Sequence, residues 1–175
     1  MKPLARLLPL MLIALMAVLP LAGCTRWFSG KAKPQAEEVI VHFSKSRGSE
    51  VVTEGIRRAI PKGQAQGELQ DAMLQLLKGP TEEEKAQGYF SEIPAGTHLL
   101  GITENGKAVR INLSPEFMSG GGATSVTQRM AELKATALAA DQQHEIYIDI
   151  DGKPLEDLGT GSGLEVENPL RQNVQ

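Results

Sequence analysis

Apolar and polar positions alternate in some stretches of this chain and recur every three to four residues in others, and the change of period marks out its elements. Val39, Val41 and Phe43 alternate with Ile40 and His42 as in a strand, and Val51 to Ile60 reads as a second extended segment closed by Pro61. Lys62 to Gly67 is a loop. Leu69, Met73, Leu76 and Leu77 then follow helical spacing from about Glu68 to Lys78, and Gly79-Pro80 stops that helix. Thr81 to Gln87, one Thr followed by three Glu, predicts a short capped turn. Leu99 to Glu104 and Ala108 to Leu113 flank Asn105-Gly106, a strong hairpin signal, with Val109, Ile111 and Leu113 sharing one face. After the loop Ser119 to Gly122, Val126, Met130, Leu133 and Ala137 form the stripe of a second helix over about Thr124 to Ala140. Ile146, Ile148 and Ile150 alternate with Tyr147 and Asp149, and Asp151-Gly152 turns the chain towards a short final strand near Lys153 to Asp157.

The order β-β-α-β-β-α-β, with its antiparallel hairpin, predicts an α+β fold: a small mixed sheet with two helices packed on one face. Its expected core is Leu69, Met73, Leu76, Leu77, Val126, Met130, Leu133, Ile146, Ile148 and Ile150.

The N-terminus is patterned differently. Lys2 and Arg6 precede Leu7 to Ala22, which carries no charge, is interrupted by Pro9 and ends near Pro20. That run is short for a bilayer span and suits a signal peptide over residues 1–23. It closes on Leu21-Ala22-Gly23-Cys24, which resembles the lipobox of bacterial lipoproteins. The resemblance implies that the Cys24 thiol receives a diacylglyceryl group and that Cys24 becomes the first residue after cleavage. The expectation is therefore a chain acylated at Cys24, anchored in membrane lipid on the extracytoplasmic face of the cell membrane. Residues 24–38 form a linker, in which Arg26, Trp27, Lys31 and Lys33 suit either a headgroup interface or an unstructured tether.

Composition narrows the chemistry. The 175 residues suit one domain, and 41% apolar with 22% charged residues is globular usage. The net charge of −3 becomes −5 once cleavage removes the two cations Lys2 and Arg6, which argues against nucleic acid as a partner. The single Cys excludes a disulfide within the chain and multi-Cys zinc sites. His42, His98 and His144 stand apart, so no metal is expected. Asp149-Ile150-Asp151-Gly152 opens like a calcium loop, but its twelfth position is Thr160 rather than Glu, and a solvent-facing strand Asp with a turn Asp accounts for it. Gly159-Thr160-Gly161-Ser162-Gly163 has no clear helix behind it, and Gly120-Gly121-Gly122 lacks a P-loop ending; a helix cap by Ser119 or Thr124 explains the latter better than a nucleotide site. Glu82, Glu83 and Glu84 read as a solvated charge run, and no Gly-x-Ser-x-Gly elbow is present.

Five strings, in order, resemble the GerMN domain of sporulation and spore germination proteins. They are Leu76-Leu77-Lys78-Gly79-Pro80-Thr81, Ser91-Glu92-Ile93-Pro94-Ala95-Gly96-Thr97, Val109-Arg110-Ile111-Asn112-Leu113-Ser114 with Glu116-Phe117, Ile150-Asp151-Gly152-Lys153-Pro154, and Gly163-Leu164-Glu165-Val166 with Pro169-Leu170. The resemblance places the domain at residues 39–171, before a short tail at 172–175. It implies a fold like the ring-building modules of secretion and sporulation channels, and a lipoprotein role in the cell envelope. Between Lys134 and His144 the chain departs from the pattern: Lys134, Asp141, Gln142 and Gln143 stand where the family carries apolar and aromatic residues. The shared strings are turn and cap residues, not an acid, base or nucleophile in a constellation. The expected function is therefore a non-enzymatic interaction or scaffold module in sporulation or germination, with a protein partner in an envelope assembly and no cofactor. The alternative is a small envelope enzyme or ligand binder acting on peptidoglycan.

Overall fold

The two extended segments near the start of the domain meet as one long hairpin. The computed structural model describes residues 37–158 and 168–170. Strand β1 (Glu38–Arg47) runs antiparallel to β2 (Glu50–Ala59) without a register break, from Glu38 opposite Ala59 to Arg47 opposite Glu50. Gly48-Ser49 closes it, with Gly48 at φ 64°, a backbone state that costs glycine nothing. Val39, Val41 and Phe43 face the core while Ile40 stays exposed, as the alternation requires.

Helix α1 (Glu68–Leu77) follows as predicted. Its N-cap is Gly67, and the Asp71 carboxylate turns back to accept the N–H groups of Gln66 (3.0 Å) and Gly67 (3.3 Å). The predicted capped turn is helix α2 (Glu82–Ala86), closed by a capping box: Glu84 N–H donates to Thr81 Oγ1 (3.3 Å) and Thr81 N–H to Glu84 Oε2 (2.7 Å). Strand β3 (Tyr89–Phe90) then pairs with Ser44 and Lys45 of β1, giving the order β2-β1-β3.

The second hairpin, β4 (Leu99–Asn105) and β5 (Ala108–Leu113), forms as predicted but turns one residue later. Asn105 pairs with Ala108, so Gly106 and Lys107 are the loop and Gly106 takes the positive φ of 62°. A register shift between Leu99 and Gly101 pushes Leu100 outward. Helix α3 (Ala123–Ala140) is the crossover to β6 (Glu145–Ile150), which lies parallel to β5, and β7 (Lys153–Pro154) completes the order β4-β5-β6-β7. A bridge between Ile146 and Leu170 lies on the outer edge of β6.

The α+β class is that expected; strand β3 is an element the pattern did not give, and the strands form two sheets rather than one, only the second of them mixed. The edge of β1 away from β2 carries β3 at Ser44 and Lys45, and beside it the N–H of His42 donates to Thr136 Oγ1 of α3 (2.8 Å). Helices α1 and α3 pack against β1 and each other. Both sheets and both long helices contribute to one core, including Val41, Phe43, Met73, Leu76, Ile111, Leu113, Phe117, Leu133, Ile146 and Ile148. Of the expected core residues, Leu69, Leu77 and Met130 lie at its partly buried rim and the others are buried.

Candidate functional site

Two of the buried charged side chains, Arg129 and Glu132, lie on α3. Glu132 is fully buried. Its Oε1 accepts the Ser44 hydroxyl and the Glu92 N–H (3.1 Å), and its Oε2 accepts the Ser91 hydroxyl (2.5 Å). Ser91 Oγ itself accepts the N–H of Ile93 (3.1 Å), which fixes its proton towards Glu132. One carboxyl thus joins β1, the segment after β3, and α3. Burial raises the Glu132 carboxyl above its ordinary pKa, against the hydrogen bonds from Ser44, Ser91 and Glu92. One turn earlier Arg129, also buried, donates through Nη1 to Phe117 O (2.6 Å) and through Nη2 to Gly120 O (2.9 Å). These bonds organise the Gly120-Gly121-Gly122 loop. The expected cap by Ser119 or Thr124 is absent: the N-cap is Gly122, without a side-chain bond, and Arg129 binds the loop carbonyls rather than the helix N–H groups. A Cβ at Gly121 would stand 2.6 Å from Ser125 Cβ and 2.8 Å from Arg129 Nη2, so this arrangement needs glycine.

Two further charges lie deeper than the pattern suggests. Asp149, expected to face solvent, is buried and receives both Nε (2.7 Å) and Nη2 of Arg110 from the neighbouring strand. The Arg110 guanidinium also lies 5.1 Å from the Tyr147 ring centre. Of the acidic run, Glu82 and Glu83 are exposed as expected, but Glu84 is mostly buried against Arg58. Burial alone would raise Glu84; bonds from Arg58 and the Thr81 N–H hold it below the ordinary carboxylate value. Arg58 also donates to the α1 carbonyl Gln75 O (2.8 Å) and to Gly79 O (2.9 Å), beside the Phe43 ring at 4.9 Å. The clue to Arg129 and Glu132 was present: with Thr136 they repeat the three-to-four spacing of the apolar stripe, one position behind it.

The three histidines remain separate. His42 lies over Gly55, where an added Cβ would meet its Nε2 at 2.9 Å, and burial lowers its pKa. His144 Nδ1 is 2.7 Å from Asp141 Oδ2. Among the described residues no group of three or more His, Cys, Asp or Glu could hold a metal ion, and no helix is long and apolar enough to cross a membrane. Cys24 and the loop Gly159 to Gly163 lie outside the described residues.

On the surface, Ile40 (42% exposed), Val51 (46%) and Leu100 (50%) are the large apolar side chains left open among the described residues. Strand β2 forms an edge. Ile60 N–H donates to Glu37 O (2.7 Å), and counting the unbroken ladder from there turns the backbone groups of Val51, Thr53, Gly55, Arg57 and Ala59 away from β1. A groove of about 470 Å³ lies between the Gly79-Pro80 turn and the Pro94-Ala95-Gly96 turn, bringing the first two GerMN-like strings to one place.

These features define an α+β domain whose buried charges tie its elements together. The sequence profile for sporulation and spore germination, named Germane, matches residues 34–156, and the chain belongs to that family. The fold is similar to the first GerMN domain of the sporulation protein GerM from Bacillus subtilis, with a TM-score of 0.55, 17% identity, and coverage of 76% of this chain and 98% of that one. It is also similar to the tandem GerMN domains of the same protein, with a TM-score of 0.55 and 12% identity over 67% of this chain; the chain spans 39% of that tandem structure. Comparison with curated proteins gives no match.

Proposed function

We propose that this protein is a lipoprotein held by an acylated Cys24 on the extracytoplasmic face of the cell membrane. In this reading its domain works by contact, without turnover, in an envelope assembly of sporulation or germination. Membership of the sporulation and germination family supports the setting. The Leu21-Ala22-Gly23-Cys24 string supports the anchor, because the single Cys falls where a lipobox requires it.

The observation that carries the contact reading is the use of the buried charges. Arg58, Arg129, Glu132 and Asp149 each bond to groups on neighbouring segments and so hold the fold together. What the domain turns outward instead is strand edge and scattered apolar surface. An edge strand offers main-chain bonds to a partner strand, and β2 turns the backbone groups of Val51, Thr53, Gly55, Arg57 and Ala59 outward. The test is crosslinking of the intact lipidated chain in membranes, followed by mass spectrometry of partners and of the mature N-terminus. Crosslinks mapping to one contiguous surface, on a chain that begins at acylated Cys24, support the reading. An unmodified Cys24 in the mature chain would overturn the anchor. A single conservative polar substitution that abolishes function while leaving stability and crosslinks intact would favour an enzyme.

A further inference from the structure

We infer that the groove between the Gly79-Pro80 and Pro94-Ala95-Gly96 turns is a docking site for an acidic, extended peptide segment of a partner protein. This deepens the contact reading above and rests on it. The walls come from the end of α1, from α2 and from the segment after β3. Leu77, Pro80, Phe90 and Ile93 supply apolar lining, and Lys78 and Lys85 the charge. No carboxylate lines this groove, in a chain whose acidic residues outnumber its basic ones by 21 to 18. A groove at the other end of α1 has the opposite character, lined by Glu37, Glu38, Glu68 and Asp71 with no cation.

Three features fit an acidic occupant. First, carbonyls at the negative end of α1 are partly answered: Arg58, paired with Glu84, also donates to Gln75 O in its last turn and to Gly79 O just beyond it. Second, both lysines are available. Lys78 has no ion-pair partner among the described residues, and Lys85 reaches only Glu82 (2.7 Å), in an exposed pair that a competing carboxylate replaces at little cost. Third, the walls are already in place. Thr97 N–H (3.1 Å) and its hydroxyl (2.8 Å) both donate to Pro94 O, and Ser91 is held by buried Glu132. A preformed site loses little freedom on binding. The hollow shape favours a chain segment over a lipid surface, since a flat bilayer does not enter a groove.

The experiment uses the full chain purified in detergent and two fluorescein-labelled peptides, one alternating glutamate with leucine, the other lysine with leucine. Fluorescence anisotropy should show binding of the acidic peptide only, weakening as salt rises. The double variant Lys78→Glu with Lys85→Glu, at two exposed positions, should lose about tenfold in affinity or more with an unchanged circular dichroism spectrum. Binding of neither peptide, equal binding of both, or an unaltered affinity in the double variant overturns the proposal. The two readings fail separately: a silent groove leaves the anchored contact module standing, whereas an unacylated Cys24 removes the anchor and leaves the groove's titration unchanged.

Discussion

Glu132 is a carboxyl placed where a charge is costly, and its neighbours soften that cost without removing it. Because its pKa is raised in the folded state, Glu132 keeps its proton in the folded chain at pH values just above 4.5, the ordinary value at which it loses it in the unfolded one. Its contribution to stability is therefore fully present below that value and is lost as pH rises through the folded pKa. Glu132→Gln keeps the shape and removes the titration, so its stability should fall less over this interval than that of the parent; denaturant midpoints on both sides of the window measure it. Glu132→Ala should instead cost about 1–3 kcal/mol, because it leaves the Ser44 and Ser91 hydroxyls and the Glu92 N–H without their acceptor. Ile148 makes a purely apolar case. It is fully buried in the middle of β6, and Ile148→Ala should cost about 2–5 kcal/mol by urea denaturation. A loss below roughly 0.5 kcal/mol, the size expected at a surface position, would place its side chain on the wrong face.

At the scale of elements, the short helix α2 stands on its cap. With five residues it is too short to persist on propensity alone, so the Thr81–Glu84 box and the Arg58–Glu84 pair decide whether it forms. Thr81→Ala should destabilise the domain by about 1 kcal/mol, and hydrogen exchange should show the loss first in residues 82–86. The same element shows how legibility varied. The Thr and three Glu announced a helix start from local chemistry, but the involvement of Glu84 with Arg58, 26 residues earlier, left no local trace. The Asn105-Gly106 hairpin was legible as a hairpin, and its turn moved one residue because the pairing of β4 with β5 set the register.

For the whole molecule, the anchor proposed at Cys24 would outweigh any single contact in deciding where the protein sits. Each buried CH₂ of an acyl chain contributes about 0.8 kcal/mol, and stable anchoring takes more than one chain. Cys24→Ala should therefore shift the mature chain from the membrane pellet to the soluble fraction, or leave it uncleaved; fractionation with N-terminal mass analysis distinguishes the two. The interior is a single core shared by two sheets, so a core substitution in either should lower one common transition rather than two.

The sequence by itself determined the α+β class, the main helices and strands and most of the core, because period, caps and turn residues act over a few positions and write themselves into the chain, whereas the two-residue β3 is too short to carry a period. Val39-Val41-Phe43, the Leu69-to-Leu77 stripe and Ile146-Ile148-Ile150 needed no distant partner to be read. The tertiary structure alone decided that the strands divide into two sheets, since strand pairing and contacts such as Thr136 of α3 taking the His42 N–H across 94 residues of chain are made only on folding. It also decided the place of the charges. Asp149 is buried because Arg110 stands beside it on β5, and Glu132 because Ser44, Ser91 and Glu92 converge on it from other elements. A polar residue reads as surface unless its partners are known, and those partners are brought to it only by folding.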